Sequence, residues 1–467
     1  MKVQTPKIFL PFEENLQIQV PDSLDLITPY VLREQGDWFE DEIKFLRRIL
    51  QAGEKIIDIG ANYGTYTLSM AKAVGHNGMV WAFEPASSTA GCLRASIREN
   101  GFSNVVLEQS ALSSAPGKAL LSLNSNSELN AIVKNTVIID SEEVPVVTLD
   151  ERMDHYGWSN ISFMKIDAEG EEENILAGGS RFFANESPLV EFEYKAGREV
   201  NEGLVEAFAK QGFSSYRLAP GLDMLVPFPS GSVADGYLLN LFCCKPDRAA
   251  ELQRRGILVL SEDLQAARNE KIPLQAAHHW KNAILEFGWA RGFMPLWEKS
   301  MQDTPCQDLE SALGLFFFSR DRLQNPAFRL VALERSLQIL ERLCVEQPQY
   351  LREATYARVA RDFGARQEAV KSLGVLAKRI MTTQQVNPRE PFLLPVEVIE
   401  QDGSGANSGN LVFAAVLEGL EVLSSFSSFY SGQTSRGRLE IIEKLGLGSP
   451  EMGRRLDLLN QRFPRKK

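Results

Sequence analysis

Apolar and polar positions divide the chain into two textures that change around Pro246–Arg255. Before that stretch, short apolar runs alternate with segments whose apolar residues recur at helical spacing. The runs are Ile56-Ile57 ending at Asp58, Met79–Phe83, Val105–Glu108, Ile161–Ile166, Leu189–Phe192, Ser215–Leu218 and Tyr237–Cys244. They read as strands. Helical spacing covers Asp37–Leu50, Tyr63–Val74, Ser87–Asn100, Glu171–Ala177 and Gly203–Lys210, with a short helix starting at Thr148-Leu-Asp150. Asp37 with Glu40 three residues on has the form of a capping box. Ala119–Leu123 and Val144–Leu149 read as extended, with a polar loop through Asn124, Asn126 and Asn130 between them. Residues 1–25, broken by Pro6, Pro11 and Pro21, read as an irregular strand pair. Strands alternating with helices predict a doubly wound α/β fold around a parallel sheet. The last two strands have no helix pattern between them and are expected to add an antiparallel edge.

Past residue 255 the pattern is helical. Leu333, Leu337, Leu340 and Cys344 share one face. Tyr356, Val359, Ala360 and Phe363 form a face before Gly364, and Ala369, Val370, Leu373 and Leu376 another after it. A hairpin of two helices with Gly at its turn, 354–380, has the form of a tetratricopeptide-like unit, with a degenerate copy at Phe328–Val345. Gln401–Asn410 has linker chemistry. Phe316-Phe317-Phe318 reads as helix core. The domain expectation is an N-terminal extension at 1–35, an α/β domain at 36–247 and an all-α domain at 248–467.

The net charge of −11 argues against a general nucleic-acid or lipid-surface binder, so no nucleic-acid partner is expected. The basic end Arg462–Lys467 reads as a solvated tail. Five cysteines show no metal-type spacing, and Cys243-Cys244 are adjacent, which fits reduced, buried thiols. No apolar run approaches the roughly 18 residues of a membrane span, and the first residues lack a signal-peptide core. These features predict a cytoplasmic protein with no transmembrane segment.

Candidate chemistry gathers at the end of the first strand. Asp58-Ile-Gly60-Ala-Asn62-Tyr-Gly64 reads as strand, tight turn and helix N-terminus, where backbone N–H groups can meet a ligand. The dinucleotide fingerprint needs G-x-G-x-x-G, and Asn62 stands where its second glycine makes room for a pyrophosphate. A ligand without phosphates suits the corner better. Glu84 ends the next strand, where an acidic residue accepts from ribose hydroxyls. Asp58 can orient the turn or accept from a cationic amino group, or, like Glu84, serve only as a helix-end acid. A nucleoside carrying a charged amino acid, S-adenosylmethionine, satisfies both carboxylates. Lys165-Ile-Asp167-Ala-Glu169-Gly170 ends another strand at the same carboxyl edge, with Asp167 and Glu169 as reaction-centre candidates. Glu171, Glu172 and Glu173 read as first-turn acids that favour the helix dipole. Carboxylates here would suit magnesium or calcium, but no separate ligand set stands out and no metal ligands are assigned.

These motifs, with Phe83-Glu-Pro85, Asn100, Ala111-Leu-Ser113 and Thr148-Leu-Asp150 in order, resemble the FkbM-type methyltransferases over about residues 35–245. The family pattern usually has Val or Ile where Ala168 stands. The resemblance implies a Rossmann-like sheet of seven strands, the last antiparallel, and S-adenosylmethionine-dependent O-methylation of a sugar, glycolipid or secondary-metabolite hydroxyl. By motif match it places Asp58, Gly60, Asn62 and Gly64 around the methionine and ribose of the cofactor. Glu84 falls on the ribose hydroxyls, Ser110 and Ala111 near adenine, and Glu40 in a further cofactor contact. Asp167 and Glu169 face the methyl and the acceptor.

An alcohol gains from a base that takes its proton as the new bond forms. Asp167, with Glu169 beside it and Lys165 setting local charge, is the expected base. His155 is a rival that reads as a surface residue. Two other classes compete: an NAD-dependent oxidoreductase or epimerase, opposed by Asn62, and a non-catalytic scaffold, opposed by the intact corner. The helical region is expected to bind a protein partner, self-associate or cover the acceptor site.

Overall fold

The computed structural model of the protein describes residues 5–123, 131–132, 141–196, 199–272, 280–396 and 408–464. Two compact units make up the chain. One comprises Met1–Leu218, Leu225–Val233 and Leu238–Arg255, the other Ala219–Met224, Ala234–Tyr237 and Gly256–Lys467.

The first unit is built on an eight-stranded sheet: β1 (Lys55–Ile59), β2 (Met79–Phe83), β3 (Val105–Glu108), β4 (Ile161–Ile166), β5 (Leu189–Glu193), β6 (Ser214–Ala219), β7 (Met224–Pro227) and β8 (Asn240–Cys244). Their spatial order is β7-β6-β8-β5-β4-β1-β2-β3. Strands β1 to β5 run parallel, and β8 lies antiparallel to both β5 and β6. The antiparallel strand of the expected pattern is therefore present. The expected count of seven is exceeded by β7: a single turn, Pro220–Leu222, returns the chain to form one more strand. Ile56, Ile57, Val80, Phe163, Met164, Val190 and Phe192 are buried, as near-continuous apolar strands covered on both faces should be. The order reverses on either side of β1, where β4 is one neighbour and β2 the other. That is the switch point at which open sheets bind ligands.

Helices join the strands: α1 (Asp41–Ile49) before β1, α2 (Thr65–Val74) after it, α3 (Ser87–Glu99) after β2, α4 (Leu149–Tyr156) before β4 and α5 (Glu172–Ala177) after it. The capping box expected at Asp37 and Glu40 does not form. Helix α1 starts four residues later with Glu40 as its N-cap, and Asp37 instead takes Arg47 in two bonds of 2.6 and 2.8 Å. The same carboxylate also accepts the adjacent Trp38 N–H at 2.7 Å, so both its oxygens are engaged outside the helix. A capping box does form at α4, between Thr148 and Glu151. The N-terminal residues make an antiparallel hairpin, Lys7–Phe12 with Leu16–Pro21. Ala111–Leu112, Gly117–Ser122, Ala131–Ile132 and Ser141–Val147 form a small separate sheet. The polar loop through Asn124, Asn126 and Asn130 lies outside the described residues.

The second unit is largely helical. Helices Gln307–Arg320, Pro326–Glu346, Arg352–Phe363, Arg366–Thr383 and Ser408–Ser424 pack in succession, followed by Arg436–Leu445 and Pro450–Arg462. Gly364 takes φ +92° between two of them, a left-handed cap that a side chain would strain. Phe328–Val345 is one continuous helix and not a helical hairpin. Phe316 and Phe318 are buried in their helix. Ser408, Gly409 and Asn410 begin a helix, so the linker reading fails for them, and the rest of that stretch lies outside the described residues. So does the end of the basic tail, 465–467. No single described helix is long and apolar enough to cross a membrane.

Candidate functional site

The site is a consequence of register. Asp58 on β1 lies opposite Lys165 on β4, and Lys165 lies opposite Glu191 on β5. In-register neighbours share a face, so three ionisable side chains form one row across the middle of the sheet. All are buried: Asp58 and Glu191 fully, Lys165 to 6% exposure. Helix α2 covers the row. Thr67 donates to Asp58 Oδ2, the Tyr66 hydroxyl lies 2.9 Å from Glu191 Oε1, and the Lys165 ammonium lies 4.6 Å from the centre of the Tyr66 ring.

At the carboxyl end of these strands the chain opens a cleft enclosing about 1020 Å³, its open mouth included. Its walls include Asp58, Gly60, Asn62, Glu84, Ser110, Ala111, Lys165, Asp167, Glu169 and Glu40, all expected from sequence. Trp38, Tyr63, Thr65, Tyr66, Phe83 and Glu171 also line it. Gly64 is the exception. It does not line the cleft; at φ +99° it caps α2, and a Cβ there would sit 2.3 Å from Leu93 Cδ1. Its role is packing and turn shape. Gly60 is also needed for a reason other than ligand approach: at φ +80°, its Cβ would fall 1.7 Å from the Asp167 carbonyl oxygen. That close approach brings the ends of β1 and β4 together.

Glu84 is held by the turn it faces. Its Oε2 accepts the Asn62 N–H and its Oε1 the Ala86 N–H, each at 2.9 Å. Each oxygen keeps a further lone pair. Asn62 adopts φ +50°, which lets its backbone N–H reach that carboxylate. Burial lifts Glu84 to about 7, against the pull of those two N–H groups. Asp58 is also raised by burial, partly offset by Lys165. Its Oδ1 is buried with no hydrogen-bond partner among the described residues. An orphaned carboxylate oxygen on a cleft wall is costly unless a ligand supplies the donor. It matches the cationic amino group of S-adenosylmethionine, so these residues fit that cofactor. The Ser110 hydroxyl is taken by Glu108 at 3.1 Å.

The exit from β4 is held in an uncommon shape. Glu169 has φ +49° and Gly170 φ +93°, and Glu172 Oε1 accepts the Ala168 and Gly170 N–H groups at 3.1 Å each. Glu172 thus braces the loop from the first turn of α5, where the sequence placed it with Glu173. Glu171 is likewise engaged, by Ser113 and Asn174 at 2.8 Å. Lys165 Nζ meets Asp167 Oδ2 at 2.5 Å. Burial works to lower the ammonium, but Asp167, Asp58, Glu40 and Glu191 together hold it well above the usual lysine value. His155 is exposed in the last turn of α4 and is not among the cleft residues.

Sequence reasoning missed Glu193, Glu191 and Tyr66. Glu193 comes within 4.8 Å of both Asp167 and Glu169, oxygen to oxygen. Burial, then Asp167 and Glu169, push it up to about 8. The alternation Glu191, Glu193 on a short strand was the available signal, because period-two acids on a central strand must share a face.

Residues 58–215 match the family model described as the Methyltransferase FkbM domain, so the chain carries a methyltransferase domain of that family. Among solved structures, a SAM-dependent methyltransferase from Aquifex aeolicus is 13% identical, covers 46% of this chain and 93% of its own, and has a TM-score of 0.26. A precorrin-6y C5,15-methyltransferase from Geobacter metallireducens is 14% identical, with 44% and 85% covered and a TM-score of 0.27. An O-methyltransferase from Bacillus cereus, solved in complex with SAH, is 14% identical, with 44% and 80% covered and a TM-score of 0.27. No curated protein matches the chain.

Proposed function

We propose that the protein transfers the methyl group of S-adenosylmethionine to a hydroxyl of a sugar, glycolipid or secondary-metabolite acceptor. The observation that carries this reading is the buried, unpartnered Asp58 oxygen on the wall of a cleft that also presents Glu84 and Asp167. Bound there, the cofactor supplies a methyl group already activated on a sulfonium centre. Asp58 accepts its amino group, Asn62 and Glu84 hold the ribose side, Ser110 and Ala111 flank the base, and Glu40 closes the edge. Gly60 keeps Asp167 close to this corner.

The acceptor hydroxyl is held beside Asp167 and Glu169 at the end of β4. Asp167 takes its proton, with Lys165 fixing the carboxylate and Glu193 close beside it. Orientation of the oxygen matters as much as the proton, since correct placement can lower a barrier by roughly 7–11 kcal/mol. The helical unit serves partner binding or self-association, which sedimentation of the full chain tests.

Calorimetric titration with S-adenosylmethionine, S-adenosylhomocysteine and NAD tests the cofactor. The first two bind and NAD does not; the reverse result sinks the reading in favour of an oxidoreductase. Labelled S-adenosylmethionine with glycan extracts then reports the acceptor class. Asp167→Asn should keep cofactor affinity and lose about 10²–10⁴-fold in turnover. Near-normal turnover would show that another group is the base.

A further inference from the structure

The Tyr66 hydroxyl sits between two carboxylates, 2.6 Å from Glu40 Oε2 and 2.9 Å from Glu191 Oε1. A phenol has one proton to donate. If both carboxylates were ionised, one of these contacts would set oxygen lone pairs against each other inside the protein. One carboxyl must therefore donate to the phenol oxygen. The two sites are not equivalent. Glu191 is fully buried, behind the cleft residues, and its Oε2 has no hydrogen-bond partner among the described residues. Glu40 is only partly buried and lines the cleft itself. An orphaned oxygen costs far less on a neutral acid than on an anion. The shorter contact, to Glu40, has the length of a hydroxyl donating to a carboxylate.

The charges around Glu191 point the same way. Lys165 faces it from β4 but is already engaged with Asp167. Asp58 lies beyond Lys165 in the same row, and Glu40 and Glu42 bear on it from the start of α1. One ammonium serves several acids. This resembles sites in which an apolar pocket keeps a carboxylic acid neutral so that it can donate.

We propose that Glu191 is a positioning residue held as a neutral carboxylic acid at pH 7. Its Oε1–H donates to the Tyr66 oxygen, Tyr66 O–H donates to Glu40 Oε2, and Glu40 is thereby fixed as a carboxylate on the cleft wall. The relay moves no net charge and breaks no covalent bond. Its consequence for ligand affinity rests on the reading of the cleft as a cofactor site, but the protonation state does not.

Infrared difference spectroscopy of the ligand-free protein, wild type minus Glu191→Gln at pH 7, tests it. The expected spectrum shows a protonated-carboxyl C=O band that shifts in D₂O and is absent from the variant. Loss of carboxylate bands in its place overturns the proposal. A second arm titrates S-adenosylhomocysteine. Glu191→Gln, which can still donate to Tyr66, should bind within about twofold of wild type, and Glu191→Leu about tenfold more weakly, the loss expected when one charge-assisted bond is misdirected. Equal affinity of the two variants overturns the positioning role. If the wild type fails to bind this ligand, the cofactor reading fails while the infrared result still decides the protonation of Glu191.

Discussion

Buried charge is treated in opposite ways in the two units. In the helical unit, buried acids meet arginines. Arg352 grips Glu390 through two bonds of 2.8 Å, with side chains 2% and 7% exposed. Arg320, Arg358 and Arg361 converge on Asp362, and Arg438 and Arg455 share Glu421. At the carboxyl edge of the sheet, six acids and a single lysine among the described residues line the cleft, and two buried acid oxygens of the row, on Asp58 and Glu191, have no hydrogen-bond partner there. Paired charge of the first kind is architecture: removing either partner exposes the desolvation cost of the other. Surplus acid of the second kind costs stability in the empty protein and is expected where a cationic ligand repays it.

The contrast breaks most sharply if an acid is deleted from each side. Glu390→Ala leaves the Arg352 guanidinium buried without its bidentate partner. A loss of about 3–5 kcal/mol in unfolding free energy is expected, read from denaturant melts. A loss below about 1 kcal/mol would mean that Gln347 and the Leu343 carbonyl, which also accept from Arg352, suffice on their own.

Gly60→Ala is the next largest effect and tests the geometry beneath the acids. The new Cβ would meet the Asp167 carbonyl, and the residue would keep φ +80°. Separating the ends of β1 and β4 should cost about 1–3 kcal/mol and lower turnover together with cofactor affinity. A variant with unchanged turnover would show that the Asp167 loop need not lie against β1.

Much of this was readable in the sequence, and the misses have a common physical cause. Apolar runs and turn residues announced the α/β order, and the Asp58–Gly64 corner with Glu84 and Asp167 announced the cleft, because each is set by local backbone chemistry. Gly64 lies outside the cleft lining, and a glycine required for packing on Leu93 looks the same in sequence as one required for a ligand. Asp37 was misjudged because Arg47, ten residues away, and the adjacent Trp38 N–H engage its carboxylate. Glu191, Glu193 and Tyr66 were passed over because their meaning depends on register between strands 25 and more residues apart. Strand β7 follows from a three-residue turn whose return path no periodicity encodes.

Asp58→Asn sharpens the comparison from the cleft side. The amide oxygen can keep the Thr67 hydrogen bond while the buried charge disappears. The ligand-free protein should melt at the same temperature or higher, opposite in sign to Glu390→Ala. Affinity for S-adenosylmethionine should fall about 10- to 100-fold, the share of one charge-assisted bond to an ammonium. A variant that both melts lower and binds normally would place Asp58 among the architectural acids.

The smallest effect is a pH slope, to which raised acids of both units contribute. Glu84 rises from 4.5 to about 7 on folding, and Glu42 and Glu193 from 4.5 to about 8, each chiefly through burial. Between those values the folded chain holds protons that the unfolded chain has released. Their stabilising contribution is complete below about pH 4.5 and is lost as pH rises through 7 to 8. Each such group contributes up to about 1.4 kcal/mol per pH unit within its window, less where water reaches it. Asp247 and Glu251 are lowered, so they contribute fully above their unfolded values and add no slope there. Glu353 and Glu418 in the helical unit are raised and add to the same slope, so the cleft's share must be isolated by difference. Calorimetric melts of the ligand-free protein from pH 5 to 8.5 should therefore show a falling midpoint, and Glu193→Gln should flatten it. A midpoint that stays level, or a slope unchanged by that substitution, would mean that burial does not hold a proton on Glu193.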